Sequence, residues 1–257
     1  MPESAEETDA PATEPPVVPP VSERHVVARR FRARWLLAPA IVVAAIAVPL
    51  GVASSHRARV ELMGDSLMFG AARDVATDLG LRGAQVDASL AVDGAGLLDT
   101  SPDWLAKART VVADFNPTVV VVEYVGNYGT FGGPLPGVTV YSPAFYRGWA
   151  SRAQRLEDIL TARGATVYWV IGPPIAPAIP EGGVRRLDAI YELLRAPGGG
   201  PPPLIDITPA VTGRTDRYRL DLPGPDGHPI QVHLLDGIHF TPYGYSLMAR
   251  AIADGIG

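Results

Sequence analysis

The chain has 257 residues, of which 47% are hydrophobic and 19% are charged, so it can bury a substantial core. Its net charge of −5 gives no general reason to expect a nucleic acid as a partner. Because the chain contains no cysteine, disulfides, thiolate metal sites and a cysteine nucleophile are excluded.

Residues 1–34 have two parts of contrasting composition. Residues 1–23 carry six prolines and six acidic residues but no lysine or arginine, a composition that predicts a disordered tail. Residues 24–34 then bring five arginines within eleven positions. This basic segment directly precedes a long apolar run.

The apolar run 35–53, WLLAPAIVVAAIAVPLGVA, contains no charged residue. About 20 apolar residues are enough for a helix to cross a bilayer, and arginines on the N-terminal side indicate a cytoplasmic start. We therefore predict one transmembrane helix over 35–53, with residues 58–257 outside the cytoplasmic membrane. The alternative is a cleaved signal peptide that ends at the small residues 51–53, which would make the protein secreted.

From residue 58 onward, apolar runs alternate with stretches of helical spacing. The apolar runs predict buried parallel strands, at 58–64, 85–92, 117–125, 166–172 and 203–207. The helical stretches lie near 67–80, 102–114, 143–163 and 183–195. This alternation predicts an α/β sandwich with a parallel sheet, whose active site gathers at the carboxyl ends of the strands.

Ser66 follows the first predicted strand, at the point where the chain turns into a helix. One interpretation is that Ser66 caps this helix, since serine accepts hydrogen bonds from first-turn amides. The other is that Ser66 is a nucleophile, which additionally requires a base, a group that orients the base, and donors for an oxyanion. Asp65, beside it, is interpreted as a structural hydrogen-bonding residue of the turn.

His239 is the candidate base. The other four histidines are weaker candidates because they lie in the tail, beside the apolar run, or in a Gly/Pro-rich segment that is predicted to form a surface hairpin: His25, His56, His228 and His233. Asp236 lies three residues before His239, so a turn can bring its carboxylate onto the imidazole. Thr241 and Pro242 are typical of the N-cap and first residue of a following helix. A loop histidine paired with an acid is the simpler alternative.

Candidate oxyanion donors follow the second and third predicted strands. Asn127 comes directly after Gly126, at the end of the third strand, and can direct its side-chain amide into the crevice. Gly94 follows the second strand, where a glycine amide can approach a substrate closely; Gly96 is an alternative. A turn residue and a helix entry are the simpler interpretations of Asn127 and Gly94.

The order of these segments resembles the SGNH hydrolases, also called GDSL esterases and lipases. That family is named for a serine, a glycine, an asparagine and a histidine in four sequence blocks. The resemblance extends over residues 58–257 and departs from the family pattern at Tyr128, where an aspartate is usual. The residues that carry it are Gly64-Asp65-Ser66-Leu67, Gly94, Gly126-Asn127 and Asp236-Gly237-Ile238-His239.

The resemblance implies a three-layer α/β/α sandwich with a parallel, flavodoxin-like sheet. It implies Ser66 as the nucleophile, His239 as the base and Asp236 as the group that orients this base. It also implies an oxyanion hole made of the backbone amides of Ser66 and Gly94 and the side-chain amide of Asn127. Such a mechanism needs no metal and no organic cofactor.

We therefore predict a serine esterase that acts on a small-molecule, lipid or glycan ester at the extracytoplasmic face of the membrane. An O-acyltransferase that passes the acyl group to envelope glycans or lipids would use the same serine. A membrane-tethered binding module that has lost turnover is a third possibility. We expect no nucleic-acid partner.

Overall fold

The computed structural model describes residues 57–176, 181–213, 215 and 217–257. The predicted tail, 1–34, and the predicted transmembrane helix, 35–53, lie outside these residues. Within the described part of the chain, no helix is both long and apolar enough to cross a membrane.

A five-stranded parallel sheet forms the centre of the fold, with the strand order β2-β1-β3-β4-β5. The two central strands, β1 and β3, are buried almost throughout, as the continuous apolar runs predict for a sheet covered on both faces. The five predicted strands are therefore confirmed to within two residues at each end. Their bounds are Arg59–Gly64 (β1), Gln85–Ala91 (β2), Val119–Glu123 (β3), Thr166–Ile171 (β4) and Leu204–Asp206 (β5).

Helices cover both faces of the sheet and make three layers. One face packs against side chains of α2, α3 and α4, such as Trp149 and Leu187, and the other against α1 and α6, such as Leu67 and Ile252. The α3 helix ends in a 3-10 turn, Thr161–Arg163. The helices are α1 (Ser66–Leu81), α2 (Trp104–Asp114), α3 (Pro143–Leu160), α4 (Glu181–Glu192), α5 (Thr208–Thr212) and α6 (Pro242–Ile256).

The segment between β5 and α6 agrees with expectation only in part. An antiparallel hairpin, β6 (Asp221–Pro223) with β7 (Pro229–Gln231), forms where a surface hairpin is predicted. His233, which we placed in that surface segment, is instead fully buried, and its Nδ1 lies 2.7 Å from the Arg219 carbonyl. The rings of Tyr218 and Phe240 lie on either side of it in the chain and contact its imidazole, each at a centroid distance of 4.7 Å.

The strand order determines where the predicted site residues meet. β1 and β3 are neighbours in register, so Gly64 lies beside Glu123 at the carboxyl edge of the sheet. Ser66 follows the first of these strands and Asn127 follows the second. Side chains from segments about 60 residues apart in the chain therefore reach the same edge.

Candidate active site

Ser66 is the first residue of α1, directly beyond the carboxyl end of β1. The N-cap is Asp65, whose carboxylate accepts a hydrogen bond from the Leu67 amide at 3.1 Å. The interpretation of Ser66 as the helix cap is therefore wrong, and that of Asp65 as a structural residue of the turn agrees with the geometry. The Ser66 hydroxyl therefore does not cap the helix, and the residue is 7% exposed.

Two buried acids, Asp65 and Glu123, hold the start of α1 against β3. The second carboxylate oxygen of Asp65 accepts from the Val125 amide at 2.9 Å, so it links the turn after β1 to the loop after β3. Glu123 accepts from the Met68 amide at 3.1 Å through its side chain. Together they satisfy first-turn amides of the helix that carries Ser66.

The Asp65–Glu123 pair shares a low-dielectric environment. Burial raises the pKa of Glu123 well above its usual range, and the neighbouring Asp65 raises it further. Burial also raises the pKa of Asp65, to about 6, although the Val125 and Leu67 amides act in the opposite direction. Of the two acids, Glu123 therefore holds its proton more tightly, which favours a pair with a single negative charge beneath Ser66.

The structure brings Ser66, His239 and Asp236 together. The Ser66 Oγ lies 2.9 Å from His239 Nε2, although the two residues are 173 positions apart in the chain. The opposite ring nitrogen, Nδ1, lies 2.8 Å from Asp236 Oδ2. When Nδ1–H donates to the carboxylate, Nε2 is left as the acceptor for the serine hydroxyl. This arrangement can move a proton from the hydroxyl to the imidazole.

Asp236 also fixes the turn on which His239 stands. Its Oδ1 accepts from the amides of Ile238 and His239, each at 2.9 Å. Burial raises the pKa of Asp236, but these amides and the His239 ring outweigh that effect, so the pKa lies below its usual value. The carboxylate is therefore ionised in neutral and weakly acidic solution.

Gly237 lets this turn pack closely against the loop after β4. Its φ of +77° is in the left-handed region, and a Cβ at this position would overlap the Cβ of Ala176. The Ala176 amide donates to the Gly237 carbonyl at 2.9 Å. On its other side, the turn leads into α6, where Thr241 is the N-cap and Pro242 the first residue, as predicted.

Of the predicted oxyanion donors, Asn127 lines the same cavity as Ser66 and His239, whereas Gly94 is not among the lining residues. No hydrogen bond joins the Asn127 side chain or the Gly94 amide to the described part of the chain. The amide of Gly96, the alternative to Gly94, donates a hydrogen bond to Asp99 at 2.8 Å. This amide is therefore not available to an oxyanion. Gly94 has a φ of +72°, which suits a glycine.

Asp99 is a positioning residue that we did not predict. It is buried and accepts from the Gly96 amide with one oxygen and from the Gly129 amide with the other, at 2.8 and 3.0 Å. A Cβ on Gly96 would overlap the Asn127 carbonyl, so the loops after β2 and β3 are in direct contact. Asp99 accepts from an amide three residues before it, as the acid of a capping box does, and this spacing could have indicated the role.

A cavity of about 80 Å³ opens beside Ser66. The sequence identified three of its polar lining residues, and the other side chains come from the loops after β3 and β4, the first turn of α4 and the turn before His239. Its lining residues are Ser66, Val125, Gly126, Asn127, Tyr141, Ile175, Val184, Ile238 and His239.

Tyr128, where the family pattern has an aspartate, organises its own loop. Its hydroxyl accepts from the Leu135 amide at 2.7 Å and lies 3.2 Å from the Val138 carbonyl. Its ring contacts Phe145 edge to face, with the ring centroids 5.3 Å apart. The substitution at this position thus has a packing role in the loop after Asn127.

A known family matches most of the chain. The family DUF459, described as a protein of unknown function, matches residues 59–255, a range that includes every predicted site residue. No match was found among curated proteins.

Solved structures with a similar fold include two that are named as esterases. EstA, a psychrotrophic esterase from Pseudoalteromonas sp., is 14% identical; the match covers 77% of this chain and 96% of that chain, with a TM-score of 0.50. A variant of Axe2, an acetyl xylan esterase from Geobacillus stearothermophilus, is 17% identical over 78% of this chain and 94% of that chain, also at 0.50. TesA is 18% identical over 77% and 97%, at 0.50. At these identities the likeness shows the fold, and it confirms the parallel-sheet α/β architecture.

Proposed function

The chain belongs to the DUF459 family, and we propose that it is a serine esterase of the SGNH type that works through an acyl-enzyme. The observation that carries the proposal is the continuous chain of contacts from Ser66 Oγ through His239 to Asp236, at 2.9 and 2.8 Å. A nucleophile, a base and a group that orients the base are the minimum that such chemistry requires. The fold shared with named esterases is consistent with it.

In the first half of the reaction, His239 Nε2 takes the hydroxyl proton as Ser66 Oγ attacks the ester carbonyl carbon. Asp236 stabilises the imidazolium that forms. The bond to the leaving alcohol then breaks, and the alcohol oxygen receives the proton from Nε2. The products of this half are a free alcohol and an acyl group on Ser66 Oγ.

The tetrahedral intermediate needs donors for its oxyanion. We assign this role to the backbone amides of Ser66 and Gly94 and to the side-chain amide of Asn127. In support, neither Gly94 nor Asn127 directs these groups to a hydrogen-bond partner in the described ranges. Removal of one such donor typically costs about 3 kcal/mol of transition-state stabilisation, which is on the order of a hundredfold in rate.

In the second half, water replaces the alcohol. His239 takes a proton from the water as its oxygen attacks the acyl carbon, and the same proton returns to Ser66 Oγ when the acid leaves. The side chains of His239 and Asp236 are 35% and 45% exposed, so water has access to the base. This access favours hydrolysis as the outcome.

The test is the Ser66→Ala variant of the purified full-length chain, assayed on p-nitrophenyl acetate. We expect kcat/KM to fall by about a thousandfold or more, because the nucleophile is lost. A fluorophosphonate probe should label the wild-type protein at Ser66 but not the variant. Ser246→Ala, which removes an exposed hydroxyl on α6, is the matched control and should retain both properties. Turnover of Ser66→Ala at the wild-type rate would refute the proposal.

The same acyl-enzyme would serve an O-acyltransferase if a sugar hydroxyl took the place of water. Partition of the acyl group between water and an added acetyl acceptor sugar separates the two activities. We propose hydrolysis as the main reaction, so free acid should be the main product. A binding module without turnover would give neither product and no labelled serine.

We further propose that residues 35–53 anchor the enzyme in the membrane, with the domain on the extracytoplasmic side and an ester of a small molecule, lipid or glycan as substrate. The support is the uncharged run and the five arginines before it. Retention of the full-length chain in carbonate-washed membranes is the expected result. Release of a shortened chain into the medium would instead identify a cleaved signal peptide.

A further inference from the structure

We propose that Tyr141 limits the acyl group that the site accepts to about the length of an acetyl group. This inference rests on the proposed function and deepens it, because it concerns the cavity into which the acyl chain of the substrate would project. The cavity lies between Ser66 and the loop 125–127, and Tyr141 is its largest lining side chain.

The size of the cavity sets the first limit. Its volume is about 80 Å³, which is about half that of an apolar cavity of about 150 Å³ that holds one benzene ring, so it has room for about three non-hydrogen atoms. The carbonyl oxygen and the methyl group of an acetyl ester fit this space. An acyl chain of about six carbons does not fit unless a wall moves.

The apolar lining explains why the cavity would take an acyl chain. Val125, Ile175, Val184 and Ile238 contribute aliphatic side chains, and Ser66, Asn127 and His239 contribute the polar groups. An apolar pocket with a few polar groups beside the reacting atom is the usual form of a small-molecule site.

Tyr141 is held in this wall from several sides. Its ring lies close to two glycines: a Cβ built on Gly126 would be 3.4 Å from the tyrosine hydroxyl, and one on Gly183 would be 2.7 Å from the ring. The ring also stacks on Tyr146 at a centroid distance of 6.3 Å and contacts Phe145 edge to face at 5.6 Å. These contacts leave the phenol little room to rotate out of the cavity.

The backbone conformation of Tyr141 also indicates that the surrounding structure holds this residue in place. Its φ of +59° lies in the left-handed region, which is uncommon for an aromatic residue. Such a conformation persists only where the surrounding structure maintains it, and it often occurs at ligand-binding sites. Gly183 leaves the ring the space it occupies, because a Cβ at that position would overlap the ring.

The test compares p-nitrophenyl acetate with p-nitrophenyl hexanoate on the purified full-length chain. For the wild type we expect kcat/KM on acetate to exceed that on hexanoate by at least about tenfold, since one methylene group in an apolar pocket changes selectivity by about 10- to 200-fold. Tyr141→Ala should lower this ratio by at least about tenfold, through a gain on hexanoate. Tyr141→Phe keeps the ring and should keep the ratio.

Two further variants make the test decisive. Tyr141→Leu preserves an apolar contact with Phe145 and should also lower the ratio, so it replaces the alanine variant if that variant does not fold. Tyr243→Ala removes a tyrosine that is 37% exposed on α6, and it should leave the ratio unchanged. Fluorophosphonate labelling of Ser66 identifies the folded variants.

Each outcome has a definite meaning. A ratio that moves in the alanine or leucine variant and not in Tyr141→Phe supports the inference. A wild-type enzyme that hydrolyses both esters equally, or labelled variants that keep the wild-type ratio, would overturn it and leave the esterase assignment intact. If the wild type neither hydrolyses any ester nor reacts with the probe, the esterase proposal itself fails, and the inference fails with it.

Discussion

Glu123 and Asp65 are the two residues on which the position of Ser66 depends most directly. Asp65 accepts the Leu67 amide and Glu123 accepts the Met68 amide, so both first-turn donors next to Ser66 are satisfied inside the protein. The Ser66 amide precedes them at the first helical position and remains free for an oxyanion. The single charge of the Asp65–Glu123 pair also faces the imidazolium that would form on His239.

Substitutions at Glu123 should separate hydrogen bonding from charge. Glu123→Gln keeps an acceptor for the Met68 amide and matches the neutral, protonated acid, so we expect activity within about threefold of the wild type. Glu123→Ala leaves a buried amide unpaired beside a cavity, and we expect a loss of about 2 kcal/mol or more in the free energy of unfolding. Urea unfolding and kcat/KM on p-nitrophenyl acetate measure both effects. If the glutamine variant is as unstable as the alanine variant, Glu123 is required as an ionised group.

At the scale of elements, the base is held by the junction of the hairpin and α6. The Thr241 amide donates to the Val232 carbonyl at 2.8 Å, and the Leu234 amide donates to the His239 carbonyl at 2.7 Å. Gly244, in the first turn of α6, packs against the same Val232 carbonyl, and a Cβ there would overlap it. The start of α6, the strand exit and the His239 turn are thus fixed together.

Alanine scanning of two helical glycines tests this arrangement. Alanine is the better helix former, and Gly80→Ala on α1 meets nothing within 4 Å, so we expect the free energy of unfolding to rise by up to about 1 kcal/mol. Gly244→Ala should instead lower it by about 1–3 kcal/mol, because the added methyl displaces backbone. It should also reduce kcat by moving His239 away from Ser66. Equal stability of the two variants would contradict the predicted packing at the start of α6.

For the molecule as a whole, several carboxyl groups are buried and form no ion pair with a cation of the described residues. Glu61, Glu123 and Glu157 are each at most 1% exposed. Burial raises the pKa of Glu61 to about 9, with a further contribution from Asp87, and burial raises that of Glu157 to about 7. A folded state that holds protons which the unfolded chain releases loses stability as pH rises. We therefore expect the free energy of unfolding to fall between about pH 5 and pH 9.

Glu61→Gln isolates one of these groups. The pKa of Glu61 is near 4.5 in the unfolded chain and about 9 in the folded protein. Between these pH values, the free energy of unfolding falls by at most about 1.4 kcal/mol for each pH unit. Glutamine still accepts from the Leu90 amide and carries no charge. The variant should match the wild type at pH 5 and exceed its stability at pH 9 by on the order of 1 kcal/mol or more. Glu192→Gln, at an exposed position on α4, is the control. Parallel pH profiles of wild type and Glu61→Gln in urea unfolding would refute this account.

Local patterns were enough to predict much of the architecture and the central contacts. Continuous apolar runs gave the five strands, because a parallel sheet covered on both faces needs them. The approach of His239 to Ser66 was implied by the family resemblance, because His239 follows the β6–β7 hairpin and not a strand of the parallel sheet. The pairing of Asp236 with His239 was predictable because it lies within one turn, and Ser66 was placed at the carboxyl edge because it follows the first strand. These predictions depend only on periodicity and on the general rule for such sheets.

Contacts that depend on strand order or on distant loops could not be predicted in the same way. Glu123 contacts Met68 only because β3 is the neighbour of β1. Neither segment contains a local pattern that predicts this strand order. Val184 enters the cavity from the first turn of α4, a helix whose own sequence does not indicate this contact. His233 lies in a segment with the composition of a surface loop, but the way this segment folds brings the rings of Tyr218 and Phe240 against it.

The 173 positions that separate Ser66 from His239 have a consequence for synthesis and turnover. A ribosome-bound or clipped polypeptide that stops before residue 236 contains the serine but neither the imidazole nor its carboxylate. Such a fragment would lack the proposed esterase activity, even if its central sheet had formed. Under the proposed function, ester cleavage would therefore require that translation had reached the final helix and that this helix had docked, and an immature chain would leave its substrates intact.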